Sequence, residues 1–478
     1  MKSNFNYQVF LEIKEKLSKN IDVIIAYDND CNFTIFFQEQ MCDITTYSRD
    51  LLPQLRKRPK DSPKDVLTGI CRYIDLKTRD IYQILFNGLM VIFDHKDNNF
   101  YLIDISKIIR RSTGDSNLEP QNITGSRDGF TENYKDNVSL IRSRIKNDNL
   151  MIDEFNIGKR SKTWVGLFSI TDIHKEDRRI ELIEKLNKVD IDALLTVNDL
   201  VPFLTKRTIF PVCNFIGLPD LAVSRLLDGE FLLVIDRIPS VIALPTNIFD
   251  LLEERIDYMT NKPMKIMQRI MVLFCFFLST SFLGLLLSFV SYQKDILSLP
   301  ILATLAVTQK GAIFPIYLEV IFVLFLFELF YFVGFRSSEK TLSNSIILIA
   351  GLIIGQNLID SGLVGVLIIT ITALSFLSSF VVSNNIHTLF GISILRMLFI
   401  LSSFFFGIFG VTLLSIYLVV YFSKQSFLGE HLLYPFIPFD IGGIKDFFTA
   451  RSMRKKRNLS LDVKDETRRG NLWKKSLY

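Results

Sequence analysis

The chain changes character abruptly at Arg269. The 269 residues up to that point are mixed and charged, whereas from Ile270 to about Phe422 Phe, Leu, Ile and Val dominate in runs of membrane-spanning length. A bilayer core of about 30 Å asks for about 20 predominantly apolar residues of helix. Backbone polar groups within lipid must also be satisfied inside the spanning segment. The pattern therefore predicts an α/β soluble N-terminal region followed by an all-α multi-span membrane domain and a short basic tail.

The net charge of +5 is an average over unequal parts. Residues 440–478 hold 11 Lys/Arg against 5 Asp/Glu, a surplus of +6, so the remainder sums to about −1. A nucleic-acid binder concentrates base on its soluble domain, and this chain does not, so no nucleic-acid partner is expected. The basic tail reads as a cytoplasmic flank that fixes topology and touches anionic membrane lipid. The five cysteines (Cys31, Cys42, Cys71, Cys213, Cys275) lack CxxC spacing, which fits a reducing compartment and gives no metal site. The N-terminus has no continuous apolar core of the signal-peptide kind, which favours a cytoplasmic N-terminal domain.

Along residues 1–110, IDVIIAY (21–27), NFTIFF (32–37), LMVIFDH (89–95) and NFYLIDI (99–105) are rich in β-branched and aromatic residues, and Lys96-Asp97-Asn98 suits a hairpin turn. The Gly-, Ser-, Asn- and Pro-punctuated stretch 110–129 marks a boundary. A second α/β subdomain follows over 111–262. It offers a buried strand at 163–170, an amphipathic helix at 177–189, a helix opened by Pro219-Asp220 and ended by Gly229, and a strand pair at 231–236 and 240–245.

The membrane domain spans 263–424, before a tail at 425–478. Residues 270–290, 315–335, 363–382 and 397–422 are full-length spans by composition, with Lys262, Lys265 and Arg269 flanking the first. Residues 298–311 and 345–359 are short for a crossing. If both ends of the chain are cytoplasmic, the number of crossings is even. Re-entry by 345–359 gives four, the favoured count, and full crossing by both short segments gives six.

Two acids, Glu319 and Glu328, fall inside a span, where charges are costly and mark ion or substrate paths or else bond a neighbouring helix. Nine residues separate them, about 180° around a helix, so they address different neighbours. Glu319, near the span's start, reads as the more interfacial. Gln356, Asn357 and Asp360 end the short run 345–359 beside Gly351-x-x-x-Gly355, a pattern for close helix approach, a pore or a subunit contact, or for a surface hairpin. In the soluble part, GSRDGFTEN (125–133) is no phosphate-binding loop, and Arg142 and Arg144 read as surface or interface pairs. No nucleophile–base set, metal cluster or cofactor loop stands out, so catalysis is not expected.

The stretch GSRDGFTENYKDNVSLIRSRIKNDNL (125–150) resembles the signature of the A subunits of GerA-type spore germinant receptors. Its matching positions include Gly125, Gly129, Phe130, Glu132, Asn137, Leu140, Ile141, Arg142, Arg144 and Leu150. Arg127 lies within the same stretch. Pro219-Asp220, Gly229 to Pro239, Glu319 with Glu328, Gly355-Gln356 and Pro435 to Pro438 continue the resemblance in order, over residues 119–438. Thr124, Ser126, Gly217-Leu218 and Arg237-Ile238 depart from it, as in a divergent member. The resemblance implies a non-enzymatic protein of the spore inner membrane, with soluble domain and tail on the core side. It further implies a transporter-like B subunit, a lipoprotein C subunit, self-association into a ring and a nutrient-gated ion channel. In that picture Gly125, Arg127, Gly129, Phe130, Glu132, Asn137, Arg142, Arg144, Pro219 and Asp220 serve assembly or signal transfer. Glu319, Glu328, Gln356, Asn357 and Asp360 form the ion pathway or membrane polar cluster. A related stage V sporulation protein and a stand-alone secondary transporter are the alternatives.

Overall fold

The computed structural model describes residues 2–18, 20–29, 32–57, 71–73, 81, 84–96, 98–106, 128–205, 213–252, 262–296, 298–300, 303, 307, 314–336, 351, 355–383, 385–437, 439–441, 444 and 447. Helix α1 (Lys2–Leu17) opens the chain, and five strands follow: β1 (Val23–Asp28), β2 (Phe33–Gln38), β3 (Cys71–Tyr73), β4 (Leu89–Asp94) and β5 (Asn99–Asp104). They form one antiparallel sheet in the order β1-β2-β4-β5-β3. Strand alternation sends Phe36, Val91, Phe93, Phe100 and Leu102 to the face that α1 covers with Val9, Phe10, Ile13 and Leu17. The opposite face buries Phe33, Ile35, Met90, Ile92 and Ile103.

A second antiparallel sheet, β6-β7-β9-β10-β8, is built from β6 (Leu150–Ile157), β7 (Thr163–Ile170), β8 (Asn214–Ile216), β9 (Phe231–Ile235) and β10 (Val241–Leu244). Helices α2 (Tyr134–Arg144) and α5 (Pro219–Asp228) pack on one face, while α3 (Glu176–Asn187) and α4 (Val197–Leu204) pack on the other. Pro219 sits at the first turn of α5, and Gly229 caps its end with φ 104°, a left-handed position suited to glycine. Strand β6, LMIDEFNI, was not foreseen. Its Asp153, Glu154 and Asn156 are half-buried or exposed, which weakens the apolar signal.

Helix α6 (Ile248–Leu251) leads toward the apolar half, which holds α7 (Lys262–Thr280), α8 (Phe282–Tyr292), α9 (Ile316–Arg336), α10 (Val366–Val382) and α11 (Ile386–Ser423). Among the described residues three helices are long and apolar enough to cross a membrane: Pro263–Thr280, Ile316–Gly334 and Ile386–Ser423. The expected first span is two helices, interrupted at Ser281. Lys265 and Arg269 do not merely flank it, because they lie on α7 and are 4% and 0% exposed. The Arg269 guanidinium stacks over the Phe447 ring at 4.8 Å.

The expected span 397–422 belongs to a 38-residue helix folded back on itself. Gly407 leaves helical geometry at φ 59°, ψ −141°, a conformation open to glycine. A Cβ on Gly410 would lie 2.3 Å from the Ser402 carbonyl oxygen, although eight residues along a straight helix cover about 12 Å. Two arms, 386–406 and 408–423, therefore pack against each other. Tyr292, at the end of α8, covers the bend: its hydroxyl donates to the Phe404 carbonyl at 2.5 Å, and its ring lies 3.1 Å from a Cβ on Gly407. Gly284 brings α8 against the α11 backbone, since a Cβ there would meet the Phe399 carbonyl oxygen at 2.8 Å.

Both ends of the folded helix return to the second sheet. At one end the Phe215 ring of β8 packs on His387 at 5.1 Å. At the other, a two-stranded hairpin of β11 (Ser426–Phe427) and β12 (Glu430–His431) seats Phe427 and Leu428 in the same hydrophobic cluster as Leu182 and Leu186 of α3. The first residues of the expected basic tail are thus packed against the soluble half.

Candidate functional site

Two clusters of polar groups sit where the chain's parts meet. The first joins the two sheets. Arg142, on α2, is 0% exposed and grips Asp22, itself 1% exposed, in a two-pronged pair: Nε donates to Oδ2 at 2.8 Å and Nη2 to Oδ1 at 2.8 Å. Nη1 and Nη2 also donate to the carbonyls of Asn147 and Leu150 at 2.9 and 3.0 Å. The Phe86 ring covers the guanidinium at 4.4 Å, and Gln38 Nε2 donates to Asp22 Oδ2 at 3.1 Å. Planar, bidentate pairing suits arginine and not lysine. Of the two readings of Arg142, surface or interface, the structure shows an interface, and a closed one.

The rest of the signature folds around this clamp. Arg144 Nε donates to Asp220 Oδ1 at 2.5 Å and Nη2 to Asp128 Oδ2 at 3.4 Å, so three separate motif residues converge. Buried Asn137 accepts from the Thr131 N–H at 2.8 Å and donates to its carbonyl at 2.6 Å, holding the loop that precedes α2. Phe130 is in the core, and its N–H donates to the Gly217 carbonyl at 3.0 Å. Gly129 and Pro219 are buried, and Glu132 is exposed. Gly125 and Arg127 lie outside the described residues.

The second cluster lies among the apolar helices. Glu328 of α9 pairs with Arg396 of α11 at 3.1 Å and accepts from the Ser393 hydroxyl. Arg396 Nη2 also donates to Ser393 Oγ at 3.0 Å and Nη1 to the Ser375 carbonyl of α10 at 3.3 Å. Arg396 is 1% exposed, while the Glu328 side chain is 35% exposed. Three helices are thereby fastened at one level. Arg396 stands one residue before the apolar run that begins at Met397, so composition alone assigns it to the flank.

Glu319, in the first turn of α9, is 1% exposed, and its Oε2 accepts from the Gly365 N–H at the start of α10 at 3.2 Å. The apolar residues Leu283, Leu287, Val320, Val323, Val364 and Ile368 cluster around this level. The expected divergence of the two acids holds, since Glu319 addresses α10 and Glu328 addresses α11. Gln356, Asn357 and Asp360 stand on a helical stretch at 355–360 and are exposed. Among the described residues, a Cβ on Gly351 or Gly355 would meet nothing within 4 Å.

The sequence comparisons agree with one another. The family model described as Bacillus/Clostridium GerA spore germination protein matches residues 11–460. Spore germination protein XA of Bacillus anthracis is 31% identical over 399 residues, covering 83% of this chain and 80% of that protein. Stage V sporulation protein AF of Bacillus subtilis (strain 168) is 26% identical over 429 residues, covering 86% and 84%. Among solved structures, the N-terminal domain of the A subunit of the Bacillus megaterium spore germinant receptor GerK3 covers 50% of this chain and 93% of its own, at 23% identity and a TM-score of 0.36. The match spans both the clamp between the sheets and the paired charges among the helices, and on it the chain belongs to the GerA spore germination protein family.

Proposed function

We propose that this chain is the A subunit of a nutrient germinant receptor, acting in the spore inner membrane with a transporter-like B subunit and a lipoprotein C subunit. In this reading its helices, assembled with further copies of the chain, conduct ions when a nutrient is sensed. Family membership supports the germination role. The ion role is carried by one observation: Glu319, Glu328 and Arg396 sit among helices of membrane-crossing composition, where ionisable groups mark ion paths. Exposed Gln356, Asn357 and Asp360 suit a hydrated surface completed by neighbouring copies.

Among the described residues the packing fits five passes. The α7–α8 pair runs from the sheets to the Gly407 bend, where Tyr317 at the start of α9 bonds Ser403 at 3.0 Å. Helix α9 then returns. Helix α10 starts at Gly365 beside Glu319, the bend-side end of α9, and ends at Val382 in the cluster that holds Ile248 and Leu432. The two arms of α11 supply the last two passes. In this reading the sheets and the 425–437 segment share one side, the spore core.

The test is deletion of the gene in a strain with no redundant receptor, with nutrient-triggered cation release as the readout. Loss of the response to at least one nutrient is expected, and unchanged responses to every nutrient overturn the reading. The likeness to the stage V protein over most of both chains favours a second reading, an A-type protein acting without a nutrient-binding partner. Adjacent genes for a transporter-like protein and a lipoprotein separate the two.

A further inference from the structure

We propose that residues 425–434 form a strap through which displacement of α3 on the soluble side moves the α11 helix pair. The proposal rests on the germination reading above. The strap is short and docked along its length. Helix α11 ends at Ser423 and its cap at Lys424 is followed by one residue, Gln425, before the hairpin. Leu428 and Gly429 take positive φ, 51° and 79°, in the two-residue turn typical of a tight hairpin. Phe427 and Leu428 are 6% and 4% exposed and lie in the α3 cluster.

Polar contacts fix the register. Arg178 of α3 pairs with Glu430 at 3.3 Å, with side chains only 16% and 7% exposed. The Lys185 ammonium, two turns further along α3, lies 4.5 Å from the centre of the Phe427 ring. Leu432 donates to the Gln425 carbonyl at 3.0 Å and accepts from the Ile248 N–H at 2.9 Å. The strap therefore reaches the segment that leads into the first membrane helix as well as leaving the last one.

The mechanical consequence follows from chain length. Two residues span at most about 7 Å, so the link between the last helical turn and the docked Phe427 holds little slack. A shift of α3 cannot be absorbed there and must pull on the 408–423 arm or undock the hairpin. With the Phe215–His387 contact anchoring the start of the other arm, relative motion opens or closes the pair at its sheet end. Rigid packed elements of this kind carry coupling where two arrangements exist.

The experiment uses the full chain in spores. Inserting Gly-Gly between Lys424 and Gln425 slackens the link and leaves every docked residue unchanged. The expected result is a wild-type amount of chain in the membrane with nutrient-triggered cation release slowed about tenfold, within the usual range of coupling between sites. Release at the wild-type rate overturns the strap. A charge swap decides the matter if the insertion lowers the chain's level. Arg178→Glu alone is expected to slow release, and adding Glu430→Arg to restore it; unaffected single variants, or no restoration in the pair, overturn the proposal. A gene deletion in the same strain separates the two failures, because a deletion strain that still responds sinks the germination reading and not the strap.

Discussion

The soluble and membrane halves each bury an arginine against a carboxylate at a junction of elements, Arg142 against Asp22 and Arg396 against Glu328, and these two pairs differ in how completely they are closed. Arg142 and Asp22 are 0% and 1% exposed, and each carries further hydrogen bonds, with an aromatic ring over the guanidinium. Arg396 is as deeply buried, but its partner Glu328 keeps 35% of its side chain exposed and shares one oxygen between Arg396 and Ser393. A closed pair offers nothing to a ligand or a second copy and serves as a weld. A pair open on one side can exchange its partner, which is what an ion path or a gate requires. In the reading proposed above, similar residue chemistry serves architecture in one half and ion passage in the other.

The largest effect is expected from breaking the weld. Arg142→Leu leaves Asp22 buried without its cation, a loss of about 3–5 kcal/mol, read as a lower denaturant midpoint for protease resistance of the two sheets. Arg142→Lys keeps the charge and loses the two-pronged geometry, so it should fall between wild type and Leu. In the open pair, Arg396→Leu should cost less, on the order of 1–2 kcal/mol, because Glu328 can still reach Ser393 and its surroundings. Equal losses at the two sites would erase the distinction drawn between them.

A smaller effect sharpens the same contrast on the soluble side. Burial pushes the thiols of Cys42 and Cys213 up to about 12. A raised thiol value means the folded state holds its proton more tightly. Their contribution to stability is therefore full below the ordinary thiol value and is lost as pH rises through the folded one. Neither should react with iodoacetamide near neutral pH in the native chain. Cys42 should become reactive in Arg142→Leu under conditions where wild type stays protected. Finally, cysteines placed at Phe405 or Phe406, beside the Gly407 bend, should label from the side of the membrane opposite the sheets. Labelling from the same side would contradict the folded helix pair.

Much of the fold was legible in the sequence because its signals are local. Strand β7 occupies the TWVGLFSI run at 163–170, and the turn residues at 96–98 separate β4 from β5 as expected. The α5 boundaries follow from a proline at the start and a glycine at the end. What escaped was set by distance along the chain. Asp22 lies 120 residues from Arg142, and Arg396 lies 68 residues from Glu328. Neither pairing has a periodicity to betray it. The bend at Gly407 is hidden for a different reason: hydropathy does not record direction, so two antiparallel arms read as one apolar run. Length was the available clue, since 38 helical residues reach about 57 Å, nearly twice a bilayer core. The Gly365 contact of Glu319 is hidden in the same way as the two pairings, since the two residues lie 46 apart along the chain.

The most direct test of the central claim, that the open pair lies on the path ions take, is nutrient-triggered cation release from spores carrying Glu328→Gln, with the amount of chain in the membrane measured alongside. The substitution keeps shape and hydrogen bonding to Ser393 while removing the charge opposite Arg396. At equal chain level the account predicts altered release, slower by about tenfold for the loss of a charged contact. Release indistinguishable from wild type, in spores where deletion of the gene abolishes it, would remove Glu328 from the path and leave the pair as a second weld.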